Sequence, residues 1–259
     1  MHASGTQPGP SRKAEPTFKD PSHRSGAAQA FTRDAARYDA ARPTYPAALA
    51  ELVGGGTVCD VGAGTGKFTQ LLIDGSRDVY ACDPSADMVR VFRSVLPSVP
   101  VWRATAEAMG LADNAVDAVT CAQSWHWVDS VAASAEAHRV IRSDGRLVLC
   151  WNTLAVHHPW VLRLSRIMHS GDVQREGFYP TVDSPWRLER ELRHEWLHPT
   201  AVEDCFGLMA TRSYWLKANA RTRAKMEANL SWYLYDRLGF DHGDTVPLPY
   251  RTDAFVYSR

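Results

Sequence analysis

The chain has 259 residues, with 29 basic against 29 acidic side chains and 45% hydrophobic residues. That is enough for one large domain, or one domain with a small lid, and the zero formal charge argues against a dedicated nucleic-acid binder. No apolar run approaches the roughly 18 residues that cross a bilayer, and residues 1–28 lack a signal-peptide core, so the default expectation is a cytoplasmic protein with no membrane partner.

Residues 1–28 are rich in Pro, Gly, Ser and charge and read as a disordered tail. Phe31 to Tyr38 looks helical, until Pro43 and Pro46 break it and set an extended elbow that carries Arg42 and Tyr45. Pro46 to Val53 reads as a short helix ending at three glycines, and Thr57 to Val61 as a short buried strand. The turn Asp60-Val61-Gly62-Ala63-Gly64-Thr65-Gly66 follows, then the start of a helix at Lys67. Backbone N–H groups at such a strand-to-helix turn bind polar small molecules, and glycines permit close approach.

Two common glycine loops do not fit. A P-loop needs Gly five residues before Gly66 and Ser or Thr after its lysine, where Val61 and Phe68 stand; a dinucleotide fingerprint needs Gly where Lys67 stands. Acid plus bare backbone suits a ligand with an ammonium group and a ribose. Asp78 to Cys82 reads as the second strand, and Asp83 follows Gly62 by 21 residues, near the distance at which an acid meets a ribose. Asp83 also suits a cap for a helix over Pro84 to Val95. Val99 to Arg103 and Val116 to Cys121 read as strands three and four, Ser130 to Ile141 as a helix, and Gly145 to Trp151 as a fifth, central parallel strand.

These motifs, with Tyr80-Ala-Cys-Asp83, Thr105-Ala106-Glu107, Val116-Asp117-Ala118-Val119 and Ala137 to Leu147, resemble the class I S-adenosylmethionine-dependent methyltransferases in order and spacing across about residues 31–155. The resemblance implies a Rossmann-like, mostly parallel seven-stranded sheet with helices on both faces, and S-adenosylmethionine as cofactor. The expected cofactor contacts are Arg42, Asp60, Gly62, Ala63, Gly64, Gly66, Asp83, Pro84, Met88, Ala106, Glu107, Gln123 and Ser124. Arg42 and Glu107 come from the resemblance alone, as partners of the cofactor carboxylate and the adenine amine. The run Trp125-His126-Trp127-Val128-Asp129 is similar to a segment of small-molecule enzymes related to trans-aconitate methyltransferase, and no N/D-P-P-Y motif stands there. His126 is the candidate general base, with His157 and His158 behind it. If the run is extended, its neighbours alternate in direction, and His126 faces the acceptor while both indoles pack on the sheet.

Six of nine tryptophans and six of nine tyrosines lie beyond residue 150. Helices are expected over His157–Ser170, Ala201–Thr211 and Arg221–Leu238, the last with an apolar stripe of Met226, Leu230, Tyr233 and Leu234. Residues 171–192 read as mixed and loop-rich, Glu195–Pro199 as a strand, and Pro247–Arg259 as ending in a last antiparallel strand. The expected organisation is a tail (1–28), a cofactor-binding core (29–155), a mostly helical lid inserted after the fifth strand (156–245) and a final strand (246–259). Tyr38, Trp125, Trp127, Trp151, Tyr214 and Tyr233 are candidate acceptor-binding residues. The five cysteines form no C-x-x-C pair and read as small buried hydrophobes, and no metal cluster is legible. The expected partner is a small-molecule acceptor, with a peptide or RNA acceptor, a non-catalytic cofactor binder and homo-oligomerisation left open.

Overall fold

The computed structural model describes residues 41–170, 174 and 177–259. The expectations for residues 1–28, for Phe31 to Tyr38 and for Tyr38 itself lie outside them. Strands β1 (Gly56–Val61), β2 (Arg77–Cys82), β3 (Val101–Trp102), β4 (Val116–Ala122), β5 (Ile141–Leu154), β6 (Arg187–Ala201) and β7 (Thr245–Ser258) form one sheet in the order β3-β2-β1-β4-β5-β7-β6. The first five run parallel, and β7 runs antiparallel to β5 and β6. This is the expected Rossmann-like sheet, and Val256 sits inside it, paired with Val148.

The central strands are apolar along their length because both faces are covered. On β5, Leu147, Leu149 and Trp151 point to one face, where they meet Ala133 and Ala137 of helix α4 (Ser130–Val140). Val148 and Cys150 point to the other, with α1 (Ala48–Val53) and Phe92 of α3 (Ala86–Val95). The five cysteines are buried and free. Burial pushes the Cys121 and Cys205 thiols up to about 12, so they act as inert apolar groups. No helix among the described residues is long and apolar enough to cross a membrane.

Several boundaries differ from the sequence reading, β5 among them, which runs from Ile141 to Leu154 instead of Gly145 to Trp151. The helix after the glycine turn, α2, is only Thr69–Leu72, because Gly64 and Gly66 hold positive φ and delay its start. The third strand contracts to Val101–Trp102. The largest difference is β6, fifteen residues long where five were expected, so part of the loop-rich stretch is sheet. As the outer strand it is exposed on most of its length, and charged residues at both faces erase the alternation that marks a half-buried strand.

The remaining inserted elements are α5 (Pro159–Ile167), α6 (Asp204–Ala210), α7 (Ser213–Lys217) and α8 (Ala220–Ser231), which runs on as a π-helical turn over Trp232–Arg237. The stripe Met226, Leu230, Tyr233 and Leu234 is buried as its spacing requires, against Val161, Leu164, Leu208 and Leu248.

The glycines of the turn have different reasons. A Cβ on Gly66 would stand 2.6 Å from the Leu96 side chain and 3.0 Å from the Phe92 ring, at a φ of +95°. Gly66 therefore serves packing on α3. Gly66→Ala is expected to lower unfolding stability by about 2–4 kcal/mol through overpacking and left-handed strain together, read as a lower urea midpoint at unchanged slope.

Candidate active site

The ends of β1, β4 and β5 open into a cleft lined by Arg42, Pro43, Tyr45, Asp60, Gly62 to Thr65, Lys67, Phe68, Ala122, Gln123 and Asn152. Parallel strand ends beside a glycine turn are where open α/β sheets bind ligands. A larger open depression of about 430 Å³ lies at Ser213, Tyr214, Lys217 and Thr222. It lacks the convergence of buried polar groups found at the strand ends, so the cleft is the better site. The enclosed part of the cleft measures about 80 Å³, below the ~300 Å³ of drug-sized pockets, so a ligand must widen it.

Asp60 is the deepest polar group. Its carboxylate is fully buried and accepts hydrogen bonds from the Thr69 hydroxyl at 2.6 Å and the Thr120 hydroxyl at 2.8 Å. One bond reaches α2, the other β4, so the acid ties both walls of the turn together. Burial pushes its pKa up to about 6, against the pull of the two hydroxyls.

Asp83 ends β2. One of its oxygens accepts from the Gly64 N–H at 2.9 Å and the other from the Ser85 N–H at 2.8 Å. Burial raises its pKa against those two bonds. The helix cap expected of Asp83 is instead Ser85, whose hydroxyl accepts from the Met88 N–H. Gly64 has a φ of +58°, and among the described residues no atom lies within 4 Å of where a Cβ would stand, so the space over it faces the cleft. A Cβ on Gly62 would meet the Ser124 hydroxyl at 2.5 Å, so that glycine is required by the loop after β4 and not by a ligand.

Gln123 occupies the left-handed region at φ +58°, a conformation that costs free energy in a non-glycine residue and recurs at functional sites. Its amide nitrogen donates to the Asn152 carbonyl at 2.7 Å, while its buried Oε1 accepts no hydrogen bond from the described residues. Buried polar atoms are rarely left unpaired, so this oxygen, on a residue that lines the cleft, stands out among the described residues.

Asn152 was not foreseen. Its side chain donates to the Thr44 carbonyl of the elbow at 2.9 Å and accepts from the Thr252 hydroxyl at 2.6 Å. That hydroxyl accepts from the Trp196 indole at 2.8 Å. The relay latches the elbow to the sheet. Tyr45 then rests edge-on against Phe68 at 5.1 Å, and Arg42 donates to the Thr211 hydroxyl just beyond α6. The only sequence signal for this relay was an asparagine ending an apolar strand. His198 is a second unforeseen neighbour: burial, then the Lys67 cation, holds its pKa below the ordinary histidine value.

The run after β4 is not extended. Trp125 to Trp127 form one 3₁₀ turn, which removes the expected alternation of the two indoles and His126. Trp125 is buried in the core beneath and donates its indole N–H to the Thr181 carbonyl. Trp151, fully buried, donates its indole N–H to His126 Nδ1 at 3.2 Å. An indole can only donate, so Nδ1 holds a lone pair and neutral His126 carries its proton on Nε2. In that tautomer Nε2 is the donor nitrogen of the neutral ring.

Other expected contacts are placed elsewhere. Glu107 accepts from the Asp129 N–H at 2.8 Å and so braces the start of α4. Met88 and Ala106 are buried in the core, and Pro84 is exposed beside the turn. Tyr233 is buried in the inserted helices, its hydroxyl donating to the Trp160 carbonyl. Tyr214 is exposed and stacks on His169 at the separate depression. Neither tyrosine, nor Trp125, nor Trp151, lines the cleft.

Comparison with known proteins agrees with this geometry. A family model described as a methyltransferase domain matches residues 59–149. An uncharacterized methyltransferase of Mycobacterium tuberculosis (strain H37Rv) is 36% identical over 219 residues, covering 83% of this chain and 89% of the relative. A fission-yeast relative from Schizosaccharomyces pombe, an uncharacterized methyltransferase-like protein, is 30% identical over 244 residues, covering 87% and 93%. A solved structure described as a type II methyltransferase from Anaeromyxobacter dehalogenans superposes with a TM-score of 0.59 at 24% identity, covering 84% of this chain and 97% of that one. The chain belongs to the methyltransferase family, with the fold of its class I, S-adenosylmethionine-dependent members.

Asp60 offers a direct electrostatic test. Its raised value means that the folded state binds more protons than the unfolded chain between about pH 4 and 6, so its contribution to stability falls as pH rises through that window. Asp60→Asn is expected to be more stable than the wild type at pH 7, by up to about 3 kcal/mol, with the advantage gone near pH 4. Parallel denaturant titrations at several pH values read this difference directly.

Proposed function

We propose that this enzyme moves a methyl group from S-adenosylmethionine to an oxygen, nitrogen or carbon of a small organic acceptor, in the manner of enzymes related to trans-aconitate methyltransferase. One observation carries the cofactor reading. Asp60, Gly64 and Gln123 line the cleft, and the Asp83 carboxylate stands directly behind its glycine turn, accepting from the Gly64 N–H. Such a floor suits a ligand that presents donors, namely an ammonium group and ribose hydroxyls. Asp60 and Gln123 would hold the ammonium, and the remaining lone pairs of Asp83 the ribose. When bound, the cofactor supplies an electrophilic methyl group on a sulfonium.

The residues of the chain then position and desolvate. The elbow, latched by Asn152 and by Arg42, narrows the mouth of the cleft and keeps water out. That narrow mouth favours a small acceptor over a macromolecule. His126, with its donor fixed by Trp151, orients an acceptor that presents a lone pair, such as a carboxylate oxygen.

Two variants test the reading once an acceptor is found by mass-spectrometric screening for the gain of one methyl. Asp83→Ala is expected to weaken cofactor binding roughly ten- to hundredfold, the value of hydrogen bonds from a charged group, by calorimetry. Unchanged affinity would remove Asp83 from the site. His126→Gln keeps a donor and is expected to hold turnover within about tenfold of wild type, whereas loss of a general base costs roughly 10²–10⁴.

A further inference from the structure

A second group of chemistry-bearing side chains lies outside the cleft. His157 and His158 follow the end of β5, and Glu195 comes from β6, 37 residues after His158. The sheet brings these distant residues together. Their potential ligand atoms all lie within 4.8 Å of one another, and His157 Nδ1 stands 3.6 Å from a Glu195 oxygen. The two imidazoles lie with centroids 4.2 Å apart, their planes tilted by 39°. Glu195 pairs in register with Arg251 on β7, but that guanidinium grips Asp253 with two nitrogens.

We propose that His157, His158 and Glu195 bind one divalent transition-metal ion of the zinc class, with water completing the shell. Two imidazole nitrogens and one carboxylate oxygen are a donor set that suits zinc and its neighbours more than calcium or magnesium. Bonds of about 2.0–2.1 Å in a tetrahedral shell place ligand atoms roughly 3.3 Å apart, so modest side-chain rotations close the site. The half-positive N-terminus of α5, with His158 at the N-cap position, opposes a cation there. That opposition is screened at an exposed site, and the Glu195 charge offsets it. Bound, the ion is a clasp between the segment that begins the insertion and the outer strand β6.

The alternative is a plain histidine–glutamate pair, and the protein holds one for comparison. His242 stands 3.2 Å from Glu203 without belonging to a three-residue cluster among the described residues. The test is calorimetric titration of the untagged full chain with Zn²⁺ at about pH 7.5, above the ordinary histidine range of ~6.5. One site per chain is expected in the wild type. Its affinity should fall tenfold or more in His158→Ala and in Glu195→Gln, and hold in His242→Ala. Co²⁺ should give a visible absorption band in the wild type and lose it in Glu195→Gln. Saturating Zn²⁺ should raise the wild-type Tm by about 5–10 °C and leave that of Glu195→Gln in place. Equal Zn²⁺ affinity in all four proteins, or no stoichiometric site in the wild type, overturns the proposal. Metal-free Tm values matching the wild type establish that the variants fold.

Discussion

The structure turns on one buried carboxylate. Asp60 sits at the end of β1, shielded from solvent, and two threonine hydroxyls stabilise its charge. A buried polar group without partners would be costly, so Thr69 and Thr120 are fixed in place by it as much as it is by them. Through Thr69 it is tied to α2, and through Thr120 to β4, just beyond which lie Gln123 and the 3₁₀ turn. The glycine turn is strung between these anchors. An acid kept buried at a cost to stability is the kind of local conflict expected at functional sites.

A second layer depends on that frame. Asn152 joins the elbow, β5, β7 and β6 through one amide: Thr44 above, Thr252 and Trp196 beside, and Gln123 through its own carbonyl. The elbow and the residue whose buried Oε1 has no donor among the described residues are thus coupled. Widening the cleft for a ligand means moving the elbow against Asn152 and against the Tyr45–Phe68 contact, while the sheet beneath stays whole. His126 belongs to the same logic. Its tautomer is dictated by Trp151, which is itself locked into the core by Phe178 and Phe255.

Much of this was legible in the chain. The order of motifs from Asp60 to Leu147 specified the parallel sheet, and the alternation Ala254-Phe255-Val256-Tyr257 specified the last strand. The buried stripe of α8 followed from its 3.6-residue spacing. The outer strand β6 did not, because an exposed edge needs no apolar face. Nor did the turn at Trp125 to Trp127, where three bulky residues satisfy either an extended or a turned backbone. Above all, the partners that decide side-chain chemistry are remote in sequence. Trp151 is 25 residues from His126, and Thr252 is 100 from Asn152. Residue type and place after the fourth strand marked His126 as a candidate base; the indole opposite its Nδ1 then assigns the tautomer of the neutral ring. Gly66 likewise looked like a ligand-facing glycine until α3 was seen packed upon it.

The central claim is that the floor formed by Asp60, Gly64, Asp83 and Gln123 is the cofactor site. Hydrogen–deuterium exchange of the full chain, with and without S-adenosylhomocysteine, tests it most directly. The account predicts slowed amide exchange over residues 60–66, 83–85 and 122–124, together with the elbow at 42–46. Slowed exchange confined to the depression at residues 213–222, with the glycine turn unaffected, would contradict it.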